Sequence, residues 1–336
     1  MNALLPPLSN THNLGFGCST LGGSTDIKTS LRMLEVAYGY GICHFDVARS
    51  YGYGQAESIL GHFLKGKRPH VVITSKFGIA PARPFPFMEE AKILARKIHK
   101  ISPRLVSRLA GKLSPQVSEK TWVSPSLVKA SLEKSLSELG TDYLDIYLLH
   151  NLPYNQIVRE DIWHELEKAK EAGKIRAWGA TCESNRELDL FLGLGSPLSV
   201  LQHPFIFDRP SGSQPIHSSI QKIIFSVMRL CGSMQADPPL SFFKYLAPNL
   251  LYPGLIQNIR EAWLYIAAKE NPHTKILCSM TKEEHIVRNL KIMETPGLSE
   301  ETLATMRKIV TAGKYTGEPI LSKSSQELLY PLEIAA

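Results

Sequence analysis

The amino-acid sequence predicts a (β/α)₈ TIM barrel, and three observations carry that prediction. Eight short runs rich in β-branched and aromatic residues recur along the 336 residues of the chain. Between most of them lie segments with apolar residues at three- and four-residue spacing, which is typical of helices that cover a core. The runs themselves are continuously apolar, as parallel strands covered on both faces are. Eight strand–helix units in one chain therefore favour a closed barrel.

The predicted strands are bounded by turn residues and begin, in order, at Leu14, Ile42, Val71, Leu144, Arg176, Val200, Lys222 and Lys275. The predicted helices span 28–40, 55–65, 126–138, 161–172, 186–192 and 259–269, and a further helix is expected to begin at Lys282. Strand alternating with helix implies parallel strands, since each helical connection crosses back over the sheet. The whole chain, 1–336, is accordingly expected to be a single barrel domain.

One segment interrupts this rhythm after the third strand. Residues 79–124 form a proline-flanked basic insertion whose apolar residues have helical spacing. Within it, residues 83–120 hold nine Lys or Arg against three acidic residues, a local charge of +6 out of the +7 of the whole chain. We expect a lid that packs on the barrel; a surface for an anionic membrane or a partner is the alternative. The remaining chain is nearly neutral, so nucleic-acid binding is not expected, and residues 314–336 form a C-terminal tail.

The cysteines and the hydropathy pattern limit the class of protein. The five cysteines contain no Cys-x-x-Cys pair, so neither a zinc site nor a disulfide framework is encoded, and no metal is expected. No apolar run approaches the ~18 residues of a membrane helix, and no Lys or Arg precedes an apolar stretch at the start. We therefore expect a cytoplasmic protein with reduced thiols, no integral membrane span and no signal peptide.

Two glycine-containing stretches resemble nucleotide-binding loops but lack residues that such loops need. Residues 61–68 read GHFLKGKR, with Arg68 in place of the hydroxyl that would hold Mg²⁺. Gly15 and Gly17 are followed by Thr20 where the dinucleotide fingerprint has its third glycine. Neither a P-loop nor a Rossmann domain is predicted.

Four polar residues stand at or just beyond the carboxyl ends of predicted strands: Asp46, Tyr51, Lys76 and His150. In a parallel barrel these ends meet at one mouth, where the reactive groups of such folds lie. Each residue alone has an ordinary structural explanation, such as a turn-capping Asp or a hydrogen-bonded core His. A Lys inside an apolar strand, however, is rarely buried unpaired, and Asp46 on the neighbouring strand can supply the carboxylate. The sequence thus predicts a catalytic group made of these four side chains.

Three sequence blocks that carry these residues resemble the aldo-keto reductases. They are FDVARSYGYGQAESILG from Phe45, ITSKFG from Ile73 and DIYLLH from Asp145. The blocks hold the tetrad of that family, which corresponds here to Asp46, Tyr51, Lys76 and His150. The resemblance implies a barrel that binds NADP(H), or less often NAD(H), without a Rossmann motif, and that acts on a small aldehyde, ketone or sugar. It leaves the individual substrate and the oligomeric state open.

The resemblance also implies a set of cofactor contacts. The positions are Asp46, Thr181, Cys182, Gln202, Phe225, Ser226, Ser279, Met280, Thr281, Lys282, Arg288 and Asn289. Thr181, Cys182 and Gln202 would hold the nicotinamide carboxamide, although Cys182 replaces an Asn of the family and a thiol is a weaker hydrogen-bond partner. Lys282 and Arg288 would favour the 2′-phosphate of NADP(H). The alternative is that both are solvated helix residues.

The residue types predict the chemistry. Carbonyl reduction needs a hydride, which a nicotinamide supplies, and an acid that protonates the developing alkoxide. Tyr51 would be that acid, and the base in oxidation; its ordinary pKa of ~10 is expected to fall beside the Lys76 ammonium. Asp46 would keep Lys76 charged, and His150 would position the substrate oxygen. An NADP(H)-binding regulatory or sensor subunit with little turnover is the alternative function.

Overall fold

A closed barrel of eight parallel strands forms the body of the computed structural model, which describes residues 13–81, 123–193, 198–205, 220–228, 259–297 and residue 304. The strands follow chain order around the barrel, and the first pairs with the last. They are β1 Leu14–Gly17, β2 His44–Asp46, β3 Val72–Phe77, β4 Leu144–Leu149, β5 Ile175–Thr181, β6 Val200–Pro204, β7 Gln221–Phe225 and β8 Lys275–Cys278. Each predicted run overlaps one of these strands, so the predicted barrel is confirmed.

Eight α-helices lie in the described part of the chain. They are α1 Ile27–Gly39, α2 Ala56–Leu64, α3 Pro125–Leu139, α4 Tyr154–Ile157, α5 Glu160–Glu171, α6 Asn185–Gly193, α7 Ile259–Glu270 and α8 Glu283–Glu294. All but the short α4 overlap predicted helices. The helices begin where the sequence offers caps: the Asp26 carboxylate accepts the Thr29 N–H at 2.8 Å before α1, and Ser124 caps α3 ahead of Pro125.

The apolar side chains form two layers, as the alternation along each strand requires. The larger layer packs between the strands and the surrounding helices and includes Phe63 and Trp178. The smaller layer fills the barrel with Ile146, Leu148, Ala177, Val200, Ile223 and Leu277. At Gly179 a Cβ would lie 1.8 Å from the Val200 carbonyl oxygen, so the close approach of β5 and β6 requires glycine there. The barrel interior is therefore a packed core beneath the polar residues at its carboxyl end.

A buried charge cluster ties the amino-terminal ends of the strands together. Asp145 on β4 is fully buried and accepts hydrogen bonds from Arg68 and Arg176, each at 2.8 Å, and from the Ile73 N–H at 2.9 Å. Both guanidinium groups also lie over the ring of Tyr143. Three donors thus converge on the carboxylate, two of them charged guanidinium groups. The block DIYLLH therefore has a structural role in addition to carrying His150.

The described residues also test the element boundaries. The first predicted run, LGFGCSTLG from Leu14, extends beyond Gly17, but Cys18–Thr20 form a 3₁₀ helix. β1 ends at Gly17 because its partner β2 ends at Asp46, the residue that pairs with Gly17. The predicted insertion 79–124 and tail 314–336 lie almost wholly outside the described residues and stay predictions.

Within the described ranges, none of the helices combines the length and the apolar character needed to cross a membrane. These ranges also bring together no group of three His, Cys, Asp or Glu side chains with the spacing of a metal site.

Candidate active site

The centre of the site is an ion pair between neighbouring strands. Asp46 ends β2, and Lys76 lies one residue before the end of β3. Lys76 Nζ donates to Asp46 Oδ1 and, at 3.1 Å, to the carbonyl of Val47. Only 1% of the Lys76 side chain and 5% of the Asp46 side chain are exposed. Gln202 on β6 donates to the second carboxylate oxygen at 2.7 Å, so both oxygens of Asp46 are hydrogen-bonded.

A tight turn after β2 brings Tyr51 to this pair. Tyr51–Gly54 form a 3₁₀ helix in which Gly52 has a left-handed φ of 57°. A Cβ on Gly52 would lie 2.1 Å from the Leu21 carbonyl oxygen, so only glycine fits. Lys76 Nζ donates to the Tyr51 hydroxyl oxygen at 3.4 Å. Because an ammonium accepts no hydrogen bond, the hydroxyl hydrogen of Tyr51 is left for another acceptor.

His150 joins the group from the end of the next strand. It follows β4, and its ring lies edge-on to the ring of Tyr51, with centroids 6.1 Å apart. Burial, with the Lys76 charge as the second cause, lowers the pKa of His150 to about 3. The imidazole is therefore neutral near pH 7 and offers one N–H donor and one acceptor. The structure thus brings the four predicted side chains into one cluster at the carboxyl ends of β2, β3 and β4.

The electrostatics of Tyr51 differ from the expectation. Burial raises the pKa of the Tyr51 phenol above its ordinary value, and the Lys76 charge opposes that shift without overcoming it. The prediction of a lowered pKa was wrong because desolvation of the phenolate outweighs its attraction to the ammonium. Burial also disfavours the charged form of Lys76, but Asp46 and Tyr51 raise the pKa of Lys76 above its ordinary value. At neutral pH the cluster therefore contains a protonated phenol beside a charged ammonium.

The residues predicted to hold a carboxamide lie next to the ion pair. Thr181 ends β5 and pairs in register with Gln202, and both are 2% exposed. Thr181 Oγ1 accepts the Asn151 N–H at 2.8 Å and donates to Asn151 Oδ1 at 2.8 Å. Burial raises the pKa of Cys182 to about 12, so this residue is a neutral thiol. Asn151 was not predicted; its signal in the sequence is an Asn two residues after the end of β4, a residue type that tolerates left-handed turns.

Two further positions predicted for the cofactor lie at the end of β7. Phe225 is the last residue of this strand and packs against the inner apolar cluster. Ser226 follows it with a left-handed φ of 56°, an uncommon conformation for a residue with a Cβ. The turn therefore begins directly beyond the aromatic ring.

The positions predicted for the adenosine phosphate follow β8. Ser279 Oγ lies 2.9 Å from Ser19 Oγ, a hydrogen bond between the loops after β8 and β1. Met280 and Asn289 are buried, and Thr281 is partly exposed just before α8. A hydroxyl-bearing loop thus leads into a helix amino terminus, an arrangement that suits an anion.

The two basic residues predicted at this end have different environments. Lys282 immediately precedes α8, its side chain is 66% exposed, and its ammonium donates to Glu284 at 3.0 Å. Arg288 forms a two-pronged ion pair with Glu261 of α7, with the second contact at 2.6 Å. Arg288 therefore links α7 to α8 in this structure, whereas Lys282 stands at the helix start.

Comparisons with known proteins agree on one family. The sequence model of the Aldo/keto reductase family matches residues 13–205. The aldo-keto reductase YhdN of Bacillus subtilis (strain 168) is 30% identical over 193 residues, which cover 56% of this chain and 48% of that protein. The chain thus spans about half the length of this curated relative.

Solved structures of similar fold cover most of the chain. The holo form of aldo-keto reductase AKR11C1 from Bacillus halodurans matches with a TM-score of 0.63 at 20% identity, over 88% of this chain and 91% of that one. An aldo-keto reductase from Klebsiella pneumoniae in complex with NADPH matches with a TM-score of 0.61 at 18% identity, over 89% of this chain and 91% of that one. At these identities the likeness establishes the barrel fold.

Proposed function

Because the chain belongs to the aldo/keto reductase family, we propose that it is an NADP(H)-dependent oxidoreductase. It transfers a hydride between the nicotinamide and a small aldehyde, ketone or sugar, or the corresponding alcohol, with Tyr51 as the general acid and base. The observation that carries this proposal is the hydrogen-bond direction at Tyr51. Its oxygen accepts from Lys76, which leaves the phenolic hydrogen for a substrate oxygen.

Tyr51 is suited to hold a proton at neutral pH and to release it in the reaction. Burial raises the pKa of its phenol, so the acid form predominates before a carbonyl is reduced. When the proton moves to the substrate oxygen, the negative charge appears on an oxygen 3.4 Å from the Lys76 ammonium. An ammonium held in place beforehand stabilises that charge without reorganisation. Lys76 therefore stabilises the product of proton transfer more than the starting phenol.

Asp46 and His150 prepare the site for this transfer. The Asp46 carboxylate keeps Lys76 charged in a place where burial alone would favour the neutral amine. His150 is neutral and adjoins the ring of Tyr51, so its N–H can orient a substrate oxygen without adding a second positive charge. Neutrality matters because a charged imidazole would compete with Tyr51 as proton donor.

The residues beside the ion pair fit a nicotinamide carboxamide. Thr181 Oγ1 keeps one acceptor lone pair after its two bonds with Asn151. Gln202 turns its amide nitrogen to Asp46 and keeps its amide oxygen for another donor. A carboxamide NH₂ requires such acceptors. When bound there, the nicotinamide supplies the hydride.

For the 2′-phosphate of NADP(H), the best-supported contact is Lys282. It stands at the amino terminus of α8, where backbone N–H groups and the Thr281 hydroxyl favour an anion. Its side chain is exposed and pairs with Glu284, a partner that a phosphate can displace. Arg288 would have to leave Glu261, so it is the weaker of the two proposed contacts.

The proposal is tested by titrating the protein with NADPH and NADH and following the quenching of its tryptophan fluorescence. Oxidation of the preferred cofactor is then measured with a panel of aldehydes, quinones and sugars. We expect tighter binding of NADPH and turnover with at least one carbonyl class, lost in Tyr51→Phe. Failure to bind either cofactor would contradict the proposal. Cofactor binding with no turnover over the panel would instead favour a regulatory or sensor subunit.

A further inference from the structure

The loop after β4 contains a residue in the left-handed conformation that contacts the proposed nicotinamide site. Asn151 has a left-handed φ of 53°. Such a conformation is uncommon for a residue with a Cβ, and it often accompanies a functional constraint. The turn directs the backbone N–H of Asn151 to Thr181 Oγ1 at 2.8 Å and brings its side chain to the same hydroxyl. The constraint therefore acts on Thr181.

The direction of every hydrogen bond in this network follows from chemistry. Asn151 Nδ2 lies 2.6 Å from Glu183 Oε1, and an ionised carboxylate only accepts hydrogen bonds. The amide nitrogen of Asn151 must therefore face Glu183, and its oxygen must face Thr181. Thr181 donates its single hydroxyl hydrogen to that oxygen. The backbone N–H of Asn151 fills one of the two lone pairs of the same hydroxyl.

Thr181 is left with one lone pair and no available hydrogen. We propose that Asn151 and Glu183 hold Thr181 as an acceptor-only contact, so that the site selects the NH₂ group of the carboxamide at this position. This inference rests on the proposed function, which places the nicotinamide against Thr181. Asp46 orients Gln202 in the same manner, because its carboxylate takes a hydrogen from the Gln202 nitrogen.

Cys182 does not provide the donor that Thr181 lacks. It is 1% exposed, and burial raises its pKa to about 12, so it remains a thiol, which is a weak hydrogen-bond donor. Thr181, Cys182 and Gln202 thus favour an amide NH₂ group over a carbonyl without one. Recognition of the carboxamide is expected to depend on its nitrogen.

The acetylpyridine analogue of NADP⁺ tests this directly, because a methyl group replaces the carboxamide NH₂ and the ring carbonyl is kept. Dissociation constants of NADP⁺ and the analogue are measured by isothermal titration calorimetry, which needs no turnover. For the wild-type protein we expect the analogue to bind about tenfold more weakly, as the loss of one hydrogen bond to a fixed acceptor implies. The ratio of the two constants is the quantity compared among variants.

Two variants release the Thr181 hydroxyl by different routes. Asn151→Gly keeps the left-handed turn and the backbone N–H but removes the side-chain acceptor. Glu183→Gln keeps the shape of the exposed side chain but allows the Asn151 amide to turn over, so that its nitrogen can face Thr181. In both, Thr181 gains a free hydrogen for the carbonyl of the analogue. The ratio is expected to fall to about threefold or less.

Glu187→Gln is the matched control. Glu187 lies on α6 and accepts the Glu183 backbone N–H at 2.9 Å, a bond that glutamine can also accept. This change removes one negative charge nearby without touching the network, so the ratio should stay about tenfold. Because Glu183 is exposed, its variant is expected to fold even if Asn151→Gly does not.

The outcomes separate the two proposals. A wild-type protein that binds NADP⁺ and the analogue equally well, or a ratio unchanged in both Asn151→Gly and Glu183→Gln, would overturn the role of Asn151 while leaving the proposed function intact. A wild-type protein that binds neither ligand would overturn the proposed function and this inference together. A ratio that falls in both variants and holds in Glu187→Gln supports the acceptor-only site.

Discussion

Replacing Asp46 by asparagine removes one charge from a buried pair and leaves the other in place. In the folded protein Lys76 Nζ would keep its contacts with the Val47 carbonyl at 3.1 Å and the Tyr51 hydroxyl at 3.4 Å, but it would lose its carboxylate partner. The introduced amide would also have to serve two donors, Lys76 and Gln202, with a single oxygen. We therefore expect Asp46→Asn to lower the free energy of unfolding.

The size of this loss depends on pH in a calculable way. Breaking a buried ion pair by removing one partner costs about 3–5 kcal/mol. The uncompensated lysine can instead lose its proton: starting from its ordinary pKa of 10.5, this costs about 5 kcal/mol at pH 7 and about 2 kcal/mol at pH 9. The part of the mutational loss that comes from the uncompensated charge is thus ~3–5 kcal/mol at pH 7 and at most ~2 kcal/mol at pH 9.

Lys76 of the wild-type protein does not titrate in this window. The folded-state pKa of Lys76 is raised above 10.5, so its contribution to stability is fully present below that value and is lost only at higher pH. Lys275, whose pKa burial lowers to about 8, does titrate between pH 7 and 9. It is common to both proteins, so its contribution cancels in the difference. A loss in the free energy of unfolding that becomes smaller between pH 7 and pH 9 therefore reports on Lys76.

Urea unfolding of both proteins at pH 7 and pH 9 measures the difference. Lys76→Met and the double variant complete a thermodynamic cycle, in which removal of both charges should cost at least ~2 kcal/mol less than the sum of the single losses. An Asp46→Asn loss that is equal at the two pH values would refute the deprotonation route. Additive losses in the cycle would refute the pair itself.

Three further predictions concern proton transfer, the cofactor phosphate and the base of the barrel. Tyr51→Phe should reduce turnover by ~10²–10⁴-fold while leaving the dissociation constant of NADPH nearly unchanged. Undiminished turnover in this variant would exclude Tyr51 as the general acid. Lys282→Ala should weaken NADPH binding by about tenfold and scarcely affect NADH, because one charge-assisted hydrogen bond is lost; equal losses for both cofactors would contradict the phosphate contact. Asp145→Asn should destabilise the protein by ~3–5 kcal/mol in urea unfolding without changing cofactor affinity, since Arg68 and Arg176 lose a fully buried partner; a change below ~1 kcal/mol would contradict this.

The barrel was predictable because its signal repeats. Each strand is a short apolar run between turn residues, and eight overlapping matches leave little room for another topology. Strand ends were less predictable, because they depend on a neighbour. β1 ends at Gly17, where β2 ends at Asp46, although the apolar composition of the sequence continues through Cys18. Composition indicates that a strand exists, and pairing decides where it ends.

The predicted tetrad and the unpredicted contacts differ in whether strand order or the packing of neighbouring elements determines them. That Asp46, Lys76 and His150 lie together follows from strand order, because consecutive parallel strands bring their carboxyl ends together, whereas the resemblance to the aldo-keto reductases identified them and Tyr51 as a tetrad. The pair between Arg288 and Glu261 depends on how α7 and α8 pack, which the spacing of 27 positions does not indicate. The raised pKa of Tyr51 likewise depends on the depth of burial, which residue types do not specify.

Two buried lysines on different strands of one barrel show why residue type does not by itself determine charge. Lys76 and Lys275 are each 2% exposed. β2 pairs with β3 so that Asp46 stands opposite Thr74, two residues from Lys76, and the carboxylate raises the pKa of that lysine. Lys275 stands opposite Ile223 at the start of β8, and burial lowers its pKa to about 8, with the Cys43 thiol opposing the shift. A lysine in an apolar strand is thus a strong cation or a weak one according to its surroundings, because the Asp46 carboxylate raises the pKa of Lys76 whereas burial lowers the pKa of Lys275.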